Sequence, residues 1–74
     1  MDFKTKYEQF RDGLAVLEVA NKEYFKEIGM DIDKVFEANF GHPPRIEINQ
    51  NLPKELPESL KLGIFHLFNT IYPQ

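Results

Sequence analysis

Residues 31–49 read DIDKVFEANFGHPPRIEIN, and how this run divides decides the fold. Its first part carries apolar side chains at Ile32, Val35, Phe36 and Phe40, a spacing that lines one face of a helix. Asp31 stands before it as an N-cap, with Met30 as a staple residue, and Gly41 follows as a stop. The spacing therefore predicts a short second helix over about 32–40. His42-Pro43-Pro44 breaks helix. Arg45-Ile46-Glu47-Ile48-Asn49 then alternates polar and apolar residues, the pattern of a half-buried strand. With 32–40 read as helix, this is the one strand candidate in the sequence, and an unpaired strand leaves its backbone groups open. Two alternatives follow. The favoured one is an extended segment that packs its two isoleucines without pairing. The other is a strand that pairs with another molecule.

Upstream, Phe3, Tyr7, Phe10, Leu14, Leu17, Asn21, Tyr24 and Ile28 recur at alternating spacings of four and three. At 100° per residue they form one stripe, which predicts an amphipathic helix over about 3–28, closed by Gly29 in the left-handed C-cap position. Gly13 lies inside it, and Asp12-Gly13 is the point where a turn would split it. Because the stripe keeps phase across the glycine, the continuous helix is preferred. A helix of that length, roughly 39 Å, overhangs a small domain and asks for cover. Asn21, polar in mid-stripe, is either a register-setting residue of a coiled-coil seam or an edge-of-core residue.

Downstream, Pro57 and Glu58 suit a helix start. Leu60, Ile64, Leu67, Phe68 and Ile71 make its main stripe, while Leu62, Phe65 and Tyr72 fall on the other side. A helix over about 57–72 that is apolar nearly all round is expected to be buried nearly all round. The fold class expected is thus mainly α. One small domain, 1–74, would combine the long first helix, the short second helix, one extended segment at 45–49 and the apolar C-terminal helix.

Composition narrows the function. Seventy-four residues make one domain, and a domain this small buries only about 60% of its unfolded surface. Twelve acids against nine bases leave a net charge of −3. Residues 8–37 hold eight of those acids and four bases. No basic cluster exceeds Lys4 and Lys6, which argues against direct nucleic-acid binding. The absence of cysteine excludes disulfides, thiolate nucleophiles and cysteine zinc sites. No apolar run approaches the roughly 20 residues that cross a bilayer, and charged residues rather than an apolar signal core follow Met1. A cytoplasmic location is expected.

The residues that could carry chemistry are few. Asp31, Asp33 and Glu37 offer oxygen ligands without the glycine-centred loop of a calcium site, and read as a helix start with first-turn acids. His42, His66 and the lone Ser59 lack the strand-turn-helix setting of a nucleophile. The four glycines, at 13, 29, 41 and 63, form no phosphate loop. No catalytic residue, metal site or cofactor is expected, and the chain is read as a non-enzyme. The acidic face between Glu8 and Glu37 is interrupted by Arg11, Lys22 and Lys26, which favours a solvated helix face over mimicry of nucleic-acid phosphates.

The stretch Leu56-Pro57-Glu58-Ser59-Leu60-Lys61, continuing to Phe68 and Tyr72, resembles the last helix of phage head–tail connector proteins. There a Pro-Glu-x-Leu-Lys start leads into an apolar helix ending near a tyrosine. The resemblance covers 56–72 only and implies a helix there and, by analogy, a structural role in an assembly.

Three functions follow in order of expectation. The first is a small acidic regulator or inhibitor, of the phage or mobile-element type, that binds a larger protein. Val16, Val19, Glu23, Leu62, Phe65 and Tyr72 are the expected contact residues, because Val16 and Val19 point away from the stripe into an acidic field and the other apolar residues exceed what a small core absorbs. The second is a structural subunit that binds copies of itself, a homodimer included. The third is a nucleic-acid-binding module.

Overall fold

The computed structural model describes residues 5–73. Among them, α1 spans Lys6–Ala20, α2 Lys22–Ile28, a 3-10 turn Ile32–Lys34, β1 Phe36–Asn39, β2 Arg45–Ile48 and α3 Glu58–Ile71. The fold is mainly helical with a two-stranded antiparallel sheet.

Helix α1 starts at Lys6, and the expected start at Phe3 lies outside the described residues. Thr5 is extended, with φ −66° and ψ 164°. Its hydroxyl accepts from the Glu8 N–H at 3.1 Å and lies 3.2 Å from the Glu8 carboxylate. The Thr-x-x-Glu pattern thus satisfies an otherwise orphaned donor at the helix start.

The expected single helix over 3–28 is corrected. It runs unbroken through Gly13 but breaks at Asn21, where φ is −122° and ψ 30°. The Asn21 side-chain amide donates to the Leu17 carbonyl at 2.9 Å, and its backbone N–H reaches the Leu17 and Glu18 carbonyls at 3.1 and 3.2 Å. A side chain that competes for the backbone acceptors ends the helical ladder. Asn21 therefore marks a corner rather than a coiled-coil register. With 15 residues, α1 is about 22 Å long and does not overhang a domain of 38 × 28 × 17 Å. Helix α2 buries Tyr24, Phe25 and Ile28. Gly29 closes it as expected, left-handed at φ 67°, with its N–H on the Phe25 carbonyl at 2.9 Å.

The expected helix over 32–40 is also corrected. A 3-10 turn, in which residues i and i+3 eclipse, places Ile32 and Val35 inward, and both are buried. Asp31 contributes its backbone carbonyl to Lys34 N–H at 3.0 Å and makes no side-chain cap bond. The chain then becomes a strand. Phe36 pairs with Ile48, Glu37 with Glu47, Ala38 with Ile46, and Asn39 with Arg45. The segment 45–48 is therefore neither merely extended nor dependent on another molecule, because its partner lies in its own chain across the Phe40–Pro44 loop.

Helix α3 begins one residue later than expected, with Pro57 as its N-cap. It sinks Leu60, Ile64 and Phe68 into the core. It is not buried all round, since Lys61, Leu62, His66, Asn69 and Thr70 are exposed. It packs antiparallel on α1. A Cβ on Gly13 would fall 2.5 Å from Leu67 Cδ1, and one on Gly63 would fall 2.9 Å from Leu17 Cδ2. Each glycine thus receives a leucine from the opposite helix. The sheet closes the other side of the pair, where Phe10 meets Phe36 and Phe68 edge-on at 5.8 and 5.7 Å between centroids. Tyr24 donates its hydroxyl to the Lys54 carbonyl at 2.6 Å and so ties the connector between β2 and α3 to α2.

Candidate interaction surface

The seam where Gly13 meets Leu67 and Leu17 meets Gly63 divides the α1–α3 pair into two sides. Counting 100° per residue from that seam, Phe10, Leu14, Leu60 and Ile64 fall on the sheet side, and all are buried. Val16 and Leu62 fall on the opposite, outer side. Val19 lies one turn beyond Val16 on the same helix. The three are 69%, 58% and 72% exposed for Val16, Leu62 and Val19 respectively. Ala20, on α1, and Glu23, on α2, are both exposed.

Of the six contact residues expected from sequence, Val16 and Leu62 face the same outer side of the pair, whereas Val19 lines a separate hollow with Ala15, Glu18, Lys22, Phe25 and Met30, and Glu23 is exposed on α2 beyond the break at Asn21. Phe65 is half-buried on the side of α3 turned away from α1. Tyr72 is also half-buried and closes the end of the aromatic core. Its ring lies 5.0 Å from Phe40 and 5.2 Å from Phe68, and Lys6 Nζ sits 5.9 Å from its centroid. Its exposed area is thus small, and its principal work is packing.

The candidate chemical residues are dispersed. Ser59 and His66 lie two turns apart on α3, about 10 Å along the axis, beyond proton-transfer reach. His42 occupies the exposed loop between the strands. Asp31 and Asp33 flank the 3-10 turn, and Glu37 points from the outer face of β1. No group of three acids or histidines among the described residues is placed to hold a metal ion. The pKa of the Tyr24 hydroxyl is displaced upward. Burial raises it, with Lys54 opposing and Glu27 reinforcing the shift.

Sequence reasoning missed a second surface. A groove of about 570 Å³ runs between α1 and β1. Tyr7 and Phe40, 54% and 46% exposed, stand at one end with ring centroids 6.2 Å apart. Glu18, Asp31 and Asp33 stand at the other, and Arg11 lies on the helix wall between. The signal for it was Phe40. Placed next to Gly41, it reads as the last residue of a helix stripe, and only the strand assignment turns it into a groove wall.

Comparison with family models, with curated proteins and with solved structures finds no match to this chain. No helix among the described residues is long and apolar enough to cross a membrane.

Proposed function

We propose that the chain is a non-enzymatic protein-interaction module that acts, as a regulator or inhibitor, by binding a larger protein through the outer face of α1 and α3. The observation that carries this reading is the exposure of Val16, Val19 and Leu62 on a domain whose other large aliphatic side chains are buried or half-buried. Isolated exposed apolar residues are ordinary. Three strongly exposed aliphatics on two packed helices offer apolar contacts to a partner. Asp12 stands one turn before Val16 and Glu23 is exposed on α2 just past the Asn21 break, which favours a partner with an apolar centre and a basic rim.

The test joins solution mass with partner capture. The full chain is expected to sediment as a monomer across a concentration series. Val16→Glu with Val19→Glu should leave its circular dichroism and melting unchanged while removing the protein that the wild-type chain retains. A stable dimer split by the same pair of substitutions would replace this reading with that of a self-assembling structural subunit.

A further inference from the structure

We propose that the groove between α1 and the free edge of β1 is a second docking site, one that takes an extended peptide of a partner protein as a third strand. The inference deepens the interaction-module reading and rests on it; its groove meets the hollow lined by Val19 at Ala15, Glu18 and Asp31 but does not reach Val16 or Leu62.

The argument begins with the hydrogen-bond parity of the hairpin. Asn49 N–H donates to the Val35 carbonyl at 2.9 Å, so residues 35 and 49 form a hydrogen-bonded pair. Such pairs alternate along an antiparallel ladder. In the observed register, Glu37 with Glu47 and Asn39 with Arg45 are then the pairs that exchange bonds. Phe36 and Ala38 turn their N–H and C=O groups the other way, toward the side on which β1 has no neighbouring strand among the described residues. Two residues apart, these groups repeat at about 6.6–6.8 Å, the spacing that an added strand matches.

That side is not open solvent. Phe36, Ala38 and Phe40 line the groove from the strand, and Tyr7, Leu14 and Glu18 line it from α1. A peptide laid along β1 would bond to the edge and press alternate side chains against the helix wall. Its volume, about 570 Å³, lies within the range of ligand sites, ~300–1,000 Å³.

Charge selects the occupant. Glu18, Asp31 and Asp33 gather at one end against Arg11 alone, and the opposite end is aromatic through Tyr7 and Phe40. The occupant is an extended segment with apolar residues at alternate positions, a basic residue at the acidic end and a large apolar residue at the aromatic end. A second copy of this chain, offering its own β1 with the same acids, does not match that pattern.

A displayed library of random peptides about eight residues long, selected on the immobilised full chain, tests this. The expected winners alternate apolar residues and carry Lys or Arg at one end. Adding a winner to the isotope-labelled chain should shift the Phe36 and Ala38 amide protons downfield and slow their exchange. Ala38→Pro removes a donor on the free edge without touching a ladder bond, and should weaken the winner at least about tenfold. Asp31→Lys with Asp33→Lys should do so independently and decides the matter if the proline variant does not fold. Winners with helical spacing, winners that bind both variants as well as the wild type, or no enrichment would each overturn the proposal. So would protection of Phe36 and Ala38 by self-association without peptide. Shifts confined to Val16, Val19 and Leu62 would overturn it while leaving the interaction-module reading intact. Loss of partner capture by the single substitution Val16→Glu bears on that reading alone, since Val16 does not line the groove.

Discussion

Tyr24 shows how one side chain links local order to pH. It is buried on α2 and donates to the Lys54 carbonyl at 2.6 Å, so the neutral phenol is the form the fold holds. Burial raises its pKa above the ordinary tyrosine value. A group with a raised folded pKa contributes stability in full below its unfolded pKa, about 10, and loses it as pH climbs through the folded value. Stability of the domain is therefore expected to fall above about pH 10. Tyr24→Phe should cost about 1 kcal/mol at neutral pH for the lost hydrogen bond and should flatten that alkaline fall. Urea titrations of both proteins at neutral and alkaline pH measure the two effects. A variant that keeps the full alkaline decline would assign it to other groups. The side chain's apolar neighbours were readable from the stripe, but its hydroxyl partner is a backbone carbonyl 30 residues away, and no local pattern encodes that.

At the scale of elements, the two helical glycines explain how α1 and α3 come together. In the sequence Gly13 reads as a cost to the helix or a point of splitting, yet its missing side chain is what seats Leu67. Gly13→Ala gains up to about 1 kcal/mol of helix propensity but places its Cβ within 2.5 Å of the Leu67 side chain, an overpacking worth about 1–3 kcal/mol. The net expectation is a loss on the order of 1 kcal/mol. In a double-mutant cycle with Leu67→Ala, the alanine at 13 should turn stabilising, because the clash is gone while the propensity remains. Additive values would show that the two helices are not in register at this point. The hairpin was legible only by half. Arg45–Ile48 alternates plainly, but its partner Phe36-Glu37-Ala38-Asn39 lacks β-branched residues and contains two good helix formers. A 3-10 turn followed by a strand buries Ile32, Val35 and Phe36, the same residues a helix would bury. The cue that decides between them is the need of strand 45–48 for a partner, which the Phe40–Pro44 loop delivers from just upstream. Asn21 misled in the same way, since a stripe in phase across it says nothing about a side chain that caps the helix before it.

For the whole molecule, size sets the margin. A chain of 74 residues at about 0.05–0.15 kcal/mol per residue has roughly 4–11 kcal/mol of stability, and the modest burial of small domains favours the lower part. Phe68 is fully buried and holds edge or tilted contacts with Phe10, Phe40 and Tyr72. Truncating such a residue costs about 3–5 kcal/mol, so Phe68→Ala is expected to remove more than half of the stability or to unfold the domain. Leu62→Ala, on the same helix but 58% exposed, should stay within about 0.5 kcal/mol of wild type. Urea unfolding followed by circular dichroism reads both, with the slope unchanged if the transition remains two-state. The contrast bears on function as well as on folding. A residue that the fold does not need, yet that is apolar and exposed on the same outer side as Val16, is free to serve a partner. A large loss from Leu62→Ala would show instead that the outer face of α1 and α3 is already consumed by packing, and the proposed contact patch would have to be given up.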